Sequence, residues 1–318
     1  MQATISRKDN LAQPPKKRKL QSLQTRRGQE IRTAYTMLIP SFIGVGIFLV
    51  LPVFLIVALS FTNWNLVTPP TFAGWDNYKA ILGSSGFWNS ITVTLGFSIL
   101  AIPLAVIIGL LIALGLNQKL PGSRFLQVCF VIPWVAAPLA LGVVWQWLLA
   151  PRTGLLNQLL GTNIAWMSET STALPVVAFV YIWQNVGYIS LFFLAGLQTI
   201  PKHLYEAAML DGAGPVRRLF QITLPLLRPT TFFVLVTSMI ASFQVFDLVF
   251  GLTGGNPGYP GGTTDVIAAR IFQEAFVSPQ IGRAATMAVL LTLIVVTVTL
   301  LQQRYFRNRI TYELGDER

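Results

Sequence analysis

Charge is scarce in this chain of 318 residues: Asp, Glu, Lys and Arg make up 11% of it, against 53% hydrophobic residues. A soluble domain carries roughly a quarter charged residues, so a water-facing surface for so large an apolar content cannot be assembled here. Hydrocarbon removes the need for one. Cysteine is almost absent as well. Cys129 is the only one, which excludes an intramolecular disulfide. Its apolar neighbours suit a small buried hydrophobe better than a reactive thiol. Histidine also occurs once, at His203, so no Ser-His, Cys-His or His-metal site can form inside a membrane. No lysine is followed by Ser or Thr, so the phosphate loop ending in GK[ST] is missing and ATP is not bound by that route.

What is present is long apolar runs. A charge at the centre of a membrane helix costs roughly 2.5–3.5 kcal/mol on insertion scales, so charge-free gaps locate spans. They place helices at about 34–61, 89–116, 125–150, 173–198, 226–252 and 284–304. Each is close to or above the roughly 20 residues that cross about 30 Å of hydrocarbon. The alternation of a membrane β-barrel is missing. The expectation is an all-α integral membrane protein with six transmembrane helices over 34–310, a basic tail at 1–33 and a second tail at 311–318. Pro40, Pro52, Pro103, Pro133 and Pro138 interrupt spans and mark kinks, which neighbouring helices make tolerable.

Basic residues set the orientation. Nine Lys and Arg lie at or before Arg32, two in 117–124, four in 199–228 and four from Arg304 onward, nineteen in all. Lys79, Arg152, Arg270 and Arg283 are the four on the other side. This asymmetry predicts a multi-pass protein with both termini and the 199–228 connection in the cytoplasm. It also accounts for the net charge of +11 without nucleic acid.

The connection 201–229 reads PKHLYEAAMLDGAGPVRRLFQITLPLLRP. Physically it is two short helices joined by a turn. Pro201 suits a first helical position, and good helix formers follow from His203 to Leu210. Gly212 and Gly214 permit the positive φ that ends a helix. Pro215 suits the first turn of a second helix to about Phe220, and Pro225 the start of the fifth span. Ala207, Ala208 and Gly212 leave a small-residue surface for close approach by a partner.

This stretch resembles the EAA loop of binding-protein-dependent ABC importer permeases. The matching residues are Glu206, Ala207, Ala208, Asp211, Gly212 and Ala213, then Ile222, Leu224 and Pro225. The segments FTNWNLVTPPTFAGWDNYKAIL at 61–82 and LTGGNPGYPGGTTDVIAARIFQEAF at 252–276 resemble the carbohydrate branch of that family, of maltose, glycerol-phosphate and amino-sugar type. The resemblance runs from Ala34 to Arg309 and implies the type I (MetI-like) importer permease fold. It implies a permease subunit in a bacterial inner membrane that passes a carbohydrate from an external solute-binding protein to the cytoplasm. The implied partners are a second, different permease and two ABC ATPase subunits. ATP and Mg would sit on those ATPases, with no cofactor on this chain. The elbow would be the coupling helix, and Glu206 would meet a basic group on the ATPase.

Asp247 is the only ionisable residue inside an expected span, and such a residue is a functional hypothesis by default. A charge reaching the interface is the other reading. Helical spacing puts Gln244 and Asp247 on one face, with Ser242 on a neighbouring strip. In the fourth span Asn185 and Tyr188 share a face with Tyr181, flanked by Gln184. Amides beside aromatic rings suit sugar hydroxyls and the apolar face of a pyranose, and they equally suit hydrogen bonding between helices. The family resemblance favours sugar contact at Asn185, Tyr188 and Ser242. An ion-coupled secondary transporter is the main rival, but one carboxylate near a span end supports it poorly. A membrane enzyme would lack a catalytic group.

Overall fold

The computed structural model describes residues 18–118 and 121–307. Residues 1–17 of the basic tail and all of the tail at 311–318 lie outside the described residues. Packing divides the chain between Leu55 and Ile56. α1 (Arg18–Val45) passes through a π-helical turn, Gly46–Val50, into α2 (Leu51–Ser60), and the first unit ends within α2 at Leu55. Its large apolar side chains, among them Phe42, Phe48 and Phe54, are exposed, a surface stable only against lipid tails or another protein.

The second unit takes the end of α2 from Ile56 and then two-residue strands, β1 (Thr62–Asn63) and β2 (Thr71–Phe72), paired antiparallel with Thr62 opposite Phe72. Then come α3 (Asp76–Leu82), α4 (Ser85–Asn117), α5 (Ser123–Val135), α6 (Pro138–Leu148), α7 (Leu155–Leu160) and α8 (Ala173–Thr199). Next are α9 (Lys202–Leu210), α10 (Pro215–Arg218), a π-helical turn at Leu219–Thr223, α11 (Leu224–Leu226), α12 (Arg228–Phe243) and α13 (Asp247–Leu252). α14 (Ile267–Phe272), a π-helical turn at Gln273–Val277 and α15 (Ile281–Arg307) close the chain.

The central pair is α4 with α8. α4 carries a run of small buried residues, Ser90, Thr94, Ser98, Ala101, Ala105, Gly109 and Ala113. A Cβ on Gly109 would come within 2.6 Å of Ile189 of α8, and Ala101, Ala105 and Ala113 pack in clusters with α8 residues, while Thr94 and Ser98 bond to α14 and α12. Small residues at this spacing let helix backbones approach without a hydrophobic driving force in lipid. Around this pair lie three apolar clusters. One joins Phe97 to Val177, Val180 and Leu248. A second joins Ala113 to Phe193, Leu227 and Val234. A third joins Phe87 and Ile91 to Ile267 and Met287.

Two spans differ from the expectation of single helices. The third is broken: α5 and α6 meet at a 98° bend. Ala136 and Ala137 are extended there, with ψ of 144° and 125°; Ala137 directly precedes Pro138, and the residue before a proline is driven out of the helical region. The fifth does not run from 226 to 252. A helical stretch from Pro215 to Leu226 bends by 65° into α12, which starts at Arg228, so Pro225 does not open the span. α12 stops at Phe243, and α13 starts afresh at Asp247. Gln244, Val245 and Phe246 include no proline or glycine, so periodicity reads straight through them. Tertiary packing breaks the helix instead. α13 lies backbone to backbone on α6, where a Cβ on Gly142 would come within 2.8 Å of the Gly251 Cα. With each bent pair counted as one span, the described residues hold six membrane-length helical passes.

The segments 61–84, 149–172 and 253–280 meet at one end of this unit. Asn89 donates to the Gly262 carbonyl (3.0 Å), and Thr94 accepts from the Ile267 amide (2.9 Å). Arg270 reaches Asp265 through Nε (2.9 Å) and Nη2 (2.6 Å). Burial pushes the Asp265 carboxyl above the usual carboxylate range, against the opposing pull of Arg270 and Asn89.

Candidate functional site

Two features gather the candidate residues. The first is the elbow. Pro201 is extended (φ −62°, ψ 133°) and caps α9. At the other end Gly212 has φ +73°. The Ala213 amide donates to the Ala208 carbonyl (2.8 Å) and the Gly212 amide to that of Met209 (3.1 Å). These two bonds form a Schellman motif, which needs a left-handed residue at the Gly212 position. Gly214 adopts φ −67° instead, as the residue before Pro215, so only one of the two glycines expected to turn left-handed does so.

The elbow is seated from beneath and open above. Leu204 and Tyr205 pack on the cluster of Phe193, Leu197 and Leu227. The Tyr205 hydroxyl lies 3.0 Å from Thr223 Oγ1. Glu206, Ala207, Asp211 and Gly212 are exposed, and Ala208 and Ala213 half-buried. Around them Met209, Val216 and Phe220 are exposed, and Leu210 is 91% exposed. Ala207, Asp211 and Gly212 thus sit in an apolar patch at a helix turn, the kind of surface that marks a protein contact. Sequence reasoning passed over Met209, Leu210, Val216 and Phe220, although an apolar run beside a turn in a polar connection was visible.

The second feature is a cavity of about 200 Å³ at the two helix breaks. Gln184 and Asn185 of α8, Gln244 from the unwound segment and Asp247 from the start of α13 line it, with Tyr181, Trp134 and Pro138. Gln184 is buried and Asn185 half-buried, while Gln244 and Asp247 are exposed. Asn185 donates to the Tyr181 carbonyl (2.9 Å), which leaves its side-chain oxygen available as an acceptor. Gln244 and Asp247 therefore reach one cavity through a helix break, and the shared helical face expected of them does not exist. Irregular backbone at membrane depth is tolerated where it lines a cavity.

Tyr188 stands one turn away. Its ring stacks on Trp134, with centroids 4.3 Å apart and 9° between planes, and touches Phe192 edge-on at 4.8 Å. Ser242 is not brought to the cavity. It is fully buried and shares a 2.9 Å hydrogen bond with Ser98, so it joins α12 to α4. Trp134 was not foreseen; the signal was the pair Pro133 and Pro138, which mark the break beside it. Two larger clefts have volumes of about 470 and 710 Å³; apolar side chains line the first and most of the second, which also has Arg124 and Gln127. Acyl chains or partner helices suit such clefts. Cys129, expected to be buried, is exposed in the first of them.

Residues 102–312 match the family described as "Binding-protein-dependent transport system inner membrane component". The chain is 33% identical over 283 residues to a probable ABC transporter permease protein, YurN, of Bacillus subtilis, covering 86% of this chain and 96% of that one. It is 34% identical over 245 residues to the sn-glycerol-3-phosphate transport system permease protein UgpA of Agrobacterium fabrum, covering 76% of this chain and 83% of that one. Its fold is that of a chain in a bacterial alginate ABC transporter solved with an alginate pentasaccharide-bound periplasmic protein. That match has a TM-score of 0.77 and 23% identity, and covers 88% of this chain and 96% of the other.

Proposed function

The chain belongs to the family of inner membrane components of binding-protein-dependent transport systems, and on that basis we propose that a carbohydrate, handed over by an external solute-binding protein, passes through it into the cytoplasm. It is a multi-pass permease subunit of an ABC importer, and ATP hydrolysis belongs to separate subunits. The carbohydrate reading extends to a sugar, an oligosaccharide or an amino sugar. The observation that carries it is the cavity at the two helix breaks. Amide and carboxylate groups there face a stacked tryptophan at membrane depth, matching a solute rich in hydroxyls with one apolar face. The glycerol phosphate in the name of the Agrobacterium relative is another polyhydroxylated solute.

The working assembly pairs this chain with a second, different permease and two copies of an ATPase subunit, and an external binding protein docks on the opposite side. Both termini and the elbow face the cytoplasm, and ATP and Mg stay on the ATPase subunits. Closure of the ATPase dimer by ATP moves the elbow, and the bound nucleotide shifts the population from inward-facing to outward-facing. Glu206, Ala207, Ala208, Asp211, Gly212 and Ala213 dock the ATPase. Gln184, Asn185, Gln244 and Asp247 contact the solute, and Tyr188 holds Trp134 in the cavity wall.

The test is to purify the tagged chain with whatever assembles on it, identify those chains by mass, and release the solute from the co-purified binding protein. A sugar on that protein, and uptake that stops when ATP is depleted but an ion gradient is kept, are the expected results. A bound amino acid or peptide would contradict the carbohydrate reading. Uptake driven by the gradient alone would contradict the importer reading.

A further inference from the structure

The elbow and the cavity lie at opposite ends of one helical lever. α9 leads through the Gly212 turn to the helical stretch 215–226, which bends by 65° into α12. α12 has 16 residues, so it carries any displacement about 24 Å further, to Gln244 in the cavity. Gly212 and Gly214 are exposed and Ala213 is half-buried, and the turn they form joins the two arms through backbone. Besides the apolar packing of Leu204 and Tyr205 near Leu227, the 3.0 Å contact between the Tyr205 hydroxyl and Thr223 Oγ1 is a directional side-chain link from α9 to the second arm.

The second arm is wound to receive that contact. Residues Leu219–Thr223 form a π-helical turn, a rare widening of the helix that recurs at functional sites. Thr223 Oγ1 lies 3.4 Å from the Arg218 carbonyl, five residues back, which it can approach only because the turn is wide. A threonine hydroxyl has a single proton. If it goes to Arg218, Tyr205 donates and Thr223 accepts. Thr223 is 4% exposed, so water does not compete for the bond. Leu227, at the bend itself, is fully buried among Phe193, Leu197 and Val234, which fixes the pivot.

We infer that Tyr205 and Thr223 are positioning residues for coupling: their hydrogen bond makes the elbow and the fifth span move as one piece. This rests on the reading that the elbow docks the ATPase. Neither residue docks the ATPase in this reading.

The experiment uses the complete complex with its binding protein in proteoliposomes and measures solute moved per ATP hydrolysed. Tyr205→Phe, Thr223→Val and the double variant are compared with Thr223→Ser, which keeps the hydroxyl. The two single variants should lower the ratio about fivefold, the worth of an ordinary hydrogen bond. ATPase retention in a pull-down should stay unchanged. The double variant should be no worse than either single one, because both remove the same bond, and Thr223→Ser should restore the ratio. A wild-type ratio in both Tyr205→Phe and Thr223→Val overturns the inference, as does strict additivity in the double variant. The docking reading is judged apart, by whether Glu206→Ala weakens the pull-down, so the two can fail independently.

Discussion

Trp134, the last aromatic of α5, and Tyr188 of α8 lie face to face with ring centroids 4.3 Å apart. The stack joins α5 to α8 just before the break in the third span and holds the indole at the wall of the cavity. An aromatic pair contributes about 0.5–1.5 kcal/mol beyond the area it buries. Tyr188→Ala should therefore slow uptake about three- to tenfold, and Tyr188→Phe should keep it. Asn185→Ala should slow uptake as well, with the ATPase still bound. Normal initial rates in both alanine variants would assign these side chains to helix packing alone.

Gly142 and Gly251 make the second testable contact. A Cβ on Gly251 would come within 2.5 Å of the Leu139 carbonyl, and one on Gly142 within 2.7 Å of the Leu248 carbonyl. Backbone on both sides cannot step aside as a flexible side chain would. Gly142→Val or Gly251→Val should destabilise the chain by about 1–3 kcal/mol or more, seen as a lower unfolding temperature in detergent. Gly115 has open space around it, so Gly115→Ala should be neutral or slightly stabilising.

The sequence made the spans legible because charge is so costly in hydrocarbon that its absence draws their borders. It made the elbow legible because Pro201, Gly212 and Pro215 each tolerate few backbone conformations. The break after Val135 was half legible. Pro133 and Pro138 announced a kink, but nothing local fixed its 98° angle. The break at Gln244 was not legible at all. Those three residues have no breaker among them, and only the contact of α13 with α6, a hundred residues earlier in the chain, imposes it. Ser242 was misplaced for the same reason: its strip on the helix was read correctly, but Ser98, the partner that claims it, belongs to another helix.

The pair Asp265 and Arg270 gives a pH prediction. Burial raises the Asp265 carboxyl above its unfolded value, so the folded chain binds a proton more readily than the unfolded one. Stability contributed by that proton is present below the unfolded pKa and is lost as pH rises through the raised folded pKa. Arg270→Met removes the guanidinium that opposes the shift. Breaking a buried pair costs about 3–5 kcal/mol, and Arg270 is 27% exposed, which argues for the lower end. The variant should be clearly less stable than wild type at neutral pH and should recover as pH falls toward the acidic range. The same slope should be shallower in wild type. An unfolding temperature that instead drops on acidification in Arg270→Met would reverse the sign and reject the assignment.

Orientation is checked with single cysteines in a Cys129→Ser background. Leu210→Cys sits at a position 91% exposed and Trp75→Cys at one 63% exposed, so both are open to reagent. In sealed cells an impermeant maleimide should label position 75 and leave 210 untouched until the membrane is opened. Labelling of 210 from outside would invert the topology.

The proposed delivery of ATP turnover through the elbow to the membrane path is read out most directly by ATPase retention and stimulation. Gly212 holds φ +73°, where an L side chain costs roughly 1–2 kcal/mol. Glu206 is an exposed charge beside the apolar patch of Leu210 and Phe220. Removing one partner of a desolvated charge pair costs about 2–5 kcal/mol. Gly212→Asp and Glu206→Ala should each detach the ATPase in a pull-down or abolish the stimulation of its activity by the loaded binding protein, with all six spans still inserted. Wild-type ATPase retention together with wild-type stimulation in both variants would mean that the elbow does not couple the ATPase to transport.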